Sequence, residues 1–148
     1  MKEAHLATIH GKNLPISTKV SIEICSFIRN RNLQKAKLVL ESVLKKKRAV
    51  PYKRHNTHVA HKPGKIAAGR YPQKAAREIL NLLNGAEANA EHKGLDSKKL
   101  MISMIKANQG SKIWRPGRIA RRVFKRTNID IEVKEEENDR KTIPKKKD

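Results

Sequence analysis

Four groups of residues in this chain have types and spacing suited to chemistry, and three of them lead away from catalysis. Gly64-Lys65-Ile66-Ala67-Ala68-Gly69 has the glycine spacing of a phosphate-cradling loop. That motif needs Lys and then Ser or Thr next, and an apolar strand before it to aim the backbone amides. Here Arg70 and Tyr71 follow and no such strand precedes, so the segment reads as a flexible basic loop. His55, His58 and His61 recur every third residue. A zinc site would need further ligands on a firm scaffold. No Cys is near and helical periodicity is absent, so phosphate or base-edge contacts are expected there, and no metal. The carboxylates before residue 97 (Glu3, Glu23, Glu41, Glu78, Glu87, Glu91 and Asp96) are isolated, most of them on helix faces. No carboxylate pair, nucleophile elbow or HExxH motif exists. Cys25 falls on an apolar helical stripe, where an inert core thiol is expected. No catalytic residue, cofactor or small-molecule substrate is predicted.

The fourth group is the cations. The chain has 148 residues with 35 Lys plus Arg against 14 Asp plus Glu, a formal charge of +21. Residues 42–77 contain no acid but eleven basic residues, among them Lys45, Lys47, Arg48, Lys53, Arg54, Lys62, Lys65, Arg70 and Lys74. Residues 97–129 are again acid-free and hold ten, including Lys112, Arg115, Arg118, Arg121, Arg122, Lys125 and Arg126. A solvated face normally mixes both signs. Two long windows of one sign point to neutralised phosphates, and so to a nucleic-acid partner. A lone cysteine fits a reducing cytosol. No run of eighteen apolar residues exists, and the N-terminus shows no secretory pattern, so neither membrane nor export is expected.

The elements that must position these cations are legible in outline. A weak alternation over 4–10 suggests a first strand. Val20, Ile24, Cys25, Phe27 and Ile28 predict a helix over 17–29 capped by Ser17, with Phe27 in the core. Leu33, Ala36, Leu40, Val43 and Leu44 predict a second helix from an Asn32 cap to about Lys47. The short polar link makes the two a helical hairpin. Residues 49–71 read as a long loop without structure of its own. Pro72 suits the first position of a third helix, and Gly94 its stop. The remainder reads as a β-hairpin turning at Pro116-Gly117, a type II central pair. Centring it there opposes Met104 with Ile129, Ile102 with Ile131 and Leu100 with Val133. Beyond Ile105 and Thr127 about ten residues per arm remain, roughly 33 Å of ribbon, with almost nothing to bury. Such a ribbon is marginal alone in water. The predicted fold is α+β: a small three-helix body on a short three-stranded antiparallel sheet, with a long protruding β-hairpin and a long basic loop. Residues 1–134 form one domain with the hairpin extension at about 106–127, and 135–148 a disordered charged tail.

Aromatic residues are only 3% of the chain. Readers of single-stranded RNA rely on stacked aromatics. Tyr52, Tyr71, Trp114 and Phe124 lie in the basic windows, placed to stack on unpaired bases or wedge into RNA. The balance favours recognition of a folded RNA by shape and phosphate.

Three segments are familiar: Arg48-Ala49-Val50-Pro51-Tyr52-Lys53-Arg54-His55-Asn56, Gly69-Arg70-Tyr71-Pro72-Gln73-Lys74-Ala75-Ala76 and Asn84-Gly85-Ala86-Glu87-Ala88-Asn89-Ala90-Glu91-His92-Lys93-Gly94-Leu95-Asp96. Together they resemble the universal large-subunit ribosomal protein L twenty-two family in its archaeal form, related to the eukaryotic L seventeen, from about Lys12 to Val133. The resemblance implies a small α+β body near the ribosomal exit, and a hairpin reaching through ribosomal RNA to the wall of the nascent-peptide tunnel. It implies a structural constituent that binds rRNA, supports subunit assembly and touches neighbouring ribosomal proteins and the nascent polypeptide. The rRNA-binding residues would be Lys45, Lys47, Arg48, Lys53, Arg54, His55, His58, Lys62, Lys65, Arg70, Tyr71, Lys74, Lys112, Trp114, Arg121, Arg122, Lys125 and Arg126; Arg115, Pro116, Gly117 and Arg118 would line the tunnel. The tip departs from the usual archaeal pattern, being more compact with Pro and Gly adjacent. The alternative from another class is a free basic nucleic-acid-binding or chromatin-like protein, which would show a recognition helix dense in Lys and Arg, or dimerisation.

Overall fold

A computed structural model describes residues 6–135. Its elements run β1 (Leu6–Leu14), α1 (Thr18–Ile28), α2 (Leu33–Leu44), β2 (Val50–Pro51), β3 (Gly69–Arg70), α3 (Gln73–His92), β4 (Leu100–Gln109) and β5 (Thr127–Glu135). The main sheet is antiparallel with order β1-β5-β4, so the last strand is central. On β5, Thr127, Ile129, Ile131 and Val133 are buried and the residues between them are not. Helices therefore cover one face, with α3 along β1 and α1 along β4, and α2 packed on α3. The expected α+β class holds.

The predicted hairpin register does not. Ile102 opposes Val133, Ile105 opposes Ile131 and Ala107 opposes Ile129, with a bulge between Ile102 and Met104. A bulge adds one residue to one strand and reverses which side chains face inward. Ile105 thus takes the core place expected of Met104, and the Ser103 hydroxyl donates to the Glu132 carbonyl at 3.1 Å. Continuous alternation through Leu100, Ile102 and Met104 hid this. Lys134 and Glu135 pair within the sheet; the rest of the predicted tail, 136–148, lies outside the described residues.

The helices obey local signals with two exceptions. Asn32 caps α2 by accepting from the Gln34 and Lys35 amides. Gly94, at φ 77°, ends α3: its N–H donates to Glu91 and that of buried Leu95 to Ala90, the paired closure that a glycine in the left-handed region permits. Ser17 occupies the N-cap of α1 but its side chain caps nothing, and Pro72 precedes α3 rather than opening it. α1 and α2 do not form the expected side-by-side hairpin. Their link is bonded to the sheet instead, with Asn30 N–H donating to the Ile102 carbonyl at 3.1 Å and Ile102 N–H to the Arg31 carbonyl at 3.0 Å. Those bonds hold the helices apart on different partners. Gly85, inside α3, is where Ile9 of β1 packs; a Cβ there would stand 2.7 Å from Ile9 Cδ1.

Candidate nucleic-acid interface

Both acid-free windows leave the body as irregular chain, and each is held at its root by a side chain buried beneath it or bonded to it. In the loop, the root is Glu23 on α1, only 2% exposed. Its Oε2 accepts the Lys53 amide at 3.0 Å, and its Oε1 accepts those of Arg54 at 2.9 Å and His55 at 2.6 Å. Three successive amides wrapped on one carboxylate form an anion cradle already occupied from inside. The backbone is fixed there while the Lys53 and Arg54 side chains stay exposed. Further on, the expected structureless stretch is organised. β2 pairs with β3, His61 bridges Ala68, and Lys62 N–H donates to the Ala67 carbonyl. That closure turns 61–68 back on itself, so the glycine-spaced segment is a small hairpin rather than a strand-to-helix cradle.

The finger is rooted by Asn13, which adopts φ 52° at the end of β1. Its Oδ1 accepts from the Ser111 amide at 3.2 Å and hydroxyl at 3.0 Å, its carbonyl accepts from Arg126 Nη1 at 3.1 Å, and its amide donates to Asn128. Gly110 is required beside it, since a Cβ would stand 2.8 Å from Asn13 Oδ1 and 3.0 Å from the Arg126 backbone. Regular pairing ends at Gln109 and Thr127. Beyond, the expected ribbon is reduced to a few rungs: Gly110 N–H to Arg126 O, Phe124 N–H to Ile113 O and Arg115 N–H to Arg122 O. Gly117 has the positive φ that the predicted turn needs, but it opens a 3-10 turn over Gly117–Ile119, and the Trp114–Val123 bridge centres the tip near 118–119. Arg115 lies 4.8 Å over the Phe124 ring, linking the arms by a cation–π contact.

These roots bring part of each window together. A cleft of about 560 Å³ opens between the loop, the finger base and the start of α1, lined by Lys19, Arg54, His55, Lys112, Lys125 and Arg126. A second, of about 460 Å³, shares Lys125 and is lined by Arg70, Tyr71 and Lys74. Lys45, Lys47, His58 and Lys65 are exposed but line neither cleft, as do the tip residues Pro116, Gly117, Arg118, Arg121 and Arg122. Arg48 sits 5.4 Å over Phe27 and Lys62 5.7 Å over Tyr71. Phe27 is thus a half-buried ring between Arg31 and Arg48, not a core residue. Tyr52 is buried and removed from any stacking role, whereas Trp114 is 60% exposed. The ion pairs among the described residues are His10–Asp130, Lys37–Glu87 and Lys99–Asp96. None uses a cation from 45–77 or 106–126, so this face faces outward without carboxylate partners of its own among those residues.

The profile of the family described as Ribosomal protein L22p/L17e matches residues 9–134. The chain belongs to this family. It is 47% identical over 115 residues to the large ribosomal subunit protein uL22 of Archaeoglobus fulgidus, covering 76% of this chain and 74% of that one. With the uL22 of Methanoculleus marisnigri it shares 42% over 149 residues, 90% of this chain and 97% of the other; with that of Methanopyrus kandleri, 45% over 129 residues, 82% and 80%. Family membership makes it a ribosomal constituent of the large subunit and not an enzyme. It also replaces the free chromatin-like alternative. No helix among the described residues is long and apolar enough to cross a membrane.

Two residues that shape the interface were not expected to. Glu23 is one of the isolated acids expected on helix faces, and Asn13 has no expected role. Glu23 did carry a signal: it lies between Val20 and Phe27 at helical spacing, on the apolar side of α1, where an acid must find buried donors. Asn13 carried only its tolerance of positive φ.

Proposed function

We propose that this protein binds large-subunit rRNA through the loop and finger, supports assembly of the subunit, and presents its fingertip to the nascent peptide. The supporting observation is the face on which Arg54, His55, Arg70, Lys74, Lys112, Lys125 and Arg126 converge with no carboxylate among the lining side chains of either cleft. RNA phosphates supply the missing charge, and the Arg forks suit bidentate contacts to them. Lys45, Lys47, Arg48, Lys53, His58, Lys62, Lys65, Arg121 and Arg122 extend the contact along both windows, with Tyr71 and Trp114 against bases. Pro116, Gly117 and Arg118 line the tunnel, with Arg115 braced on Phe124. Residues 1–134 act as one domain whose finger, about 106–127, takes its final form in an RNA crevice, since none of its tip side chains is buried. Neighbouring ribosomal proteins meet the body.

The test is replacement of Arg118, Arg121 and Arg122 together by Glu in cells. Large subunits should assemble poorly or alter nascent-chain stalling, while the purified variant retains its helical circular dichroism. Normal subunit yield with unchanged stalling would overturn the tunnel reading. Release of the wild-type chain from large subunits at moderate salt would overturn the rRNA reading, because a mere counterion washes off as salt competes.

A further inference from the structure

We propose that the face of the sheet turned away from the helices docks an arginine-bearing segment of a neighbouring large-subunit protein, anchored on Glu132; this rests on the reading above that such proteins meet the body. The inward side chains of β5 are Ile129, Ile131 and Val133, so Asp130, Glu132 and Lys134 point the other way. Strand pairing sets three rows across that outer face: His10–Asp130–Lys106, Thr8–Glu132–Met104 and Leu6–Lys134–Met101. The bulge between Ile102 and Met104 is what puts both methionines there, because unbroken alternation would turn Met104 inward. Asp130 is already engaged: His10 Nδ1 lies 2.8 Å from its Oδ1, and Asn108 donates to its Oδ2 at 3.3 Å. Glu132, in the middle row, is half-buried, yet its carboxylate has no ion pair and no hydrogen bond among the described residues.

The surroundings of Glu132 select the partner's chemistry. Thr8 and Met104 flank it across the strands, and Leu6 and Met101 follow one row on, all of them half-buried. A carboxylate set among methyl and thioether groups is poorly hydrated, and a guanidinium meets it with two parallel bonds. The arginine stem then lies along the methionines, whose flexible chains and polarisable sulfur fit irregular partners. Arg and Met are both enriched where proteins meet. Charge disfavours the other occupants. An RNA backbone would set its phosphates against Asp130 and Glu132 on the central strand, the reverse of the two carboxylate-free clefts. The chain's own residues 136–148 begin Glu136-Glu137-Asn138-Asp139, like in sign to Glu132. A second copy would bring a second charge of +21, and such bodies repel at long range.

The test is site-directed photo-crosslinking in assembled large subunits. Cys25 is the only cysteine and is 1% exposed, so a benzophenone maleimide reports an introduced cysteine alone. Full-length Lys134→Cys carries the probe on the open face beside Glu132; Leu38→Cys, on the 62% exposed Leu38 of α2, carries it on the helical side. After irradiation, the Lys134→Cys adduct should map to an arginine-containing segment of another large-subunit protein. Adding Glu132→Lys should reduce that adduct at least about threefold, since like charges then face each other. Equal yield with Glu132→Lys would overturn the anchor, as would an adduct to a segment without arginine. Adducts to rRNA, to residues 136–148 or to a second copy would overturn the choice of occupant. A protein adduct from Leu38→Cys but none from Lys134→Cys would overturn this face while leaving intact the reading that neighbours meet the body. Protein adducts from neither position would overturn both.

Discussion

Replacing Glu23 by Gln isolates the role of one buried negative charge in holding a positive loop. The carboxylate accepts three amides at 3.0, 2.9 and 2.6 Å. A hydrogen bond to a charged group contributes roughly 1.5–3 kcal/mol, against about 0.5–1.5 for a neutral one. In Glu23→Gln the carbonyl oxygen can keep the Arg54 and His55 amides, now as neutral bonds, but the new NH2 meets the Lys53 amide donor to donor. The three bonds share one acceptor group and do not add, so the expected cost is about 2–4 kcal/mol. Where that cost appears depends on the loop. If 53–55 swing out to water, the loss is local, and native-state hydrogen exchange at the Lys53, Arg54 and His55 amides should accelerate by about thirtyfold or more, at 1.4 kcal/mol per factor of ten. Chemical denaturation of the same variant would then show a smaller global loss. A change below about 0.5 kcal/mol together with unchanged protection of these amides would refute the idea that Glu23 shapes the loop.

Cys25 is 1% exposed, and burial pushes its thiol up to about 12 from an ordinary 9.0, against the pull of Arg29. The unfolded thiol releases its proton first, so the stabilising contribution is intact below pH 9 and declines as pH rises further, by up to about 1.4 kcal/mol per unit. Denaturation from pH 8 to 10.5 should therefore show a shallower decline for Cys25→Ala than for wild type; parallel declines would contradict it. Asn13→Ala should destabilise by about 2–3 kcal/mol through lost bonds at the finger root and a strained φ. Asn13→Gly removes the strain but not the lost bonds, and should recover about 1 kcal/mol of it; equal stability of the two variants in urea would argue against strain at this position. Amides of 112–123 in the free protein should exchange far faster than those of Ile129–Val133, and slow at least tenfold on binding rRNA. Equal protection of finger and central strand without RNA would show that the finger needs no mould.

The sequence alone determined what depends on composition and near neighbours. Charge segregation marked the loop and the finger. Apolar spacing located three helices, and Asn32 and Gly94 their ends, because capping and helical periodicity act within a few residues. The Lys and Arg types named the chemistry, and three short segments pointed to the family. Tertiary structure decided what depends on residues far apart in the chain. Whether Met104 or Ile105 enters the core hinges on one bulge, set by which neighbours β5 offers. The α1–α2 link bonds to β4 rather than closing a hairpin, and Phe27 and Tyr52 exchange their expected environments. Glu23 meets its amides 30 residues away, and Asn13 its finger about 100 away. Such contacts leave no period in sequence, since a carboxylate on a helix reads the same whether water or three backbone amides will surround it. The convergence of Arg70, Lys74 and Lys125 on one cleft is of that kind, visible only once the chain has folded.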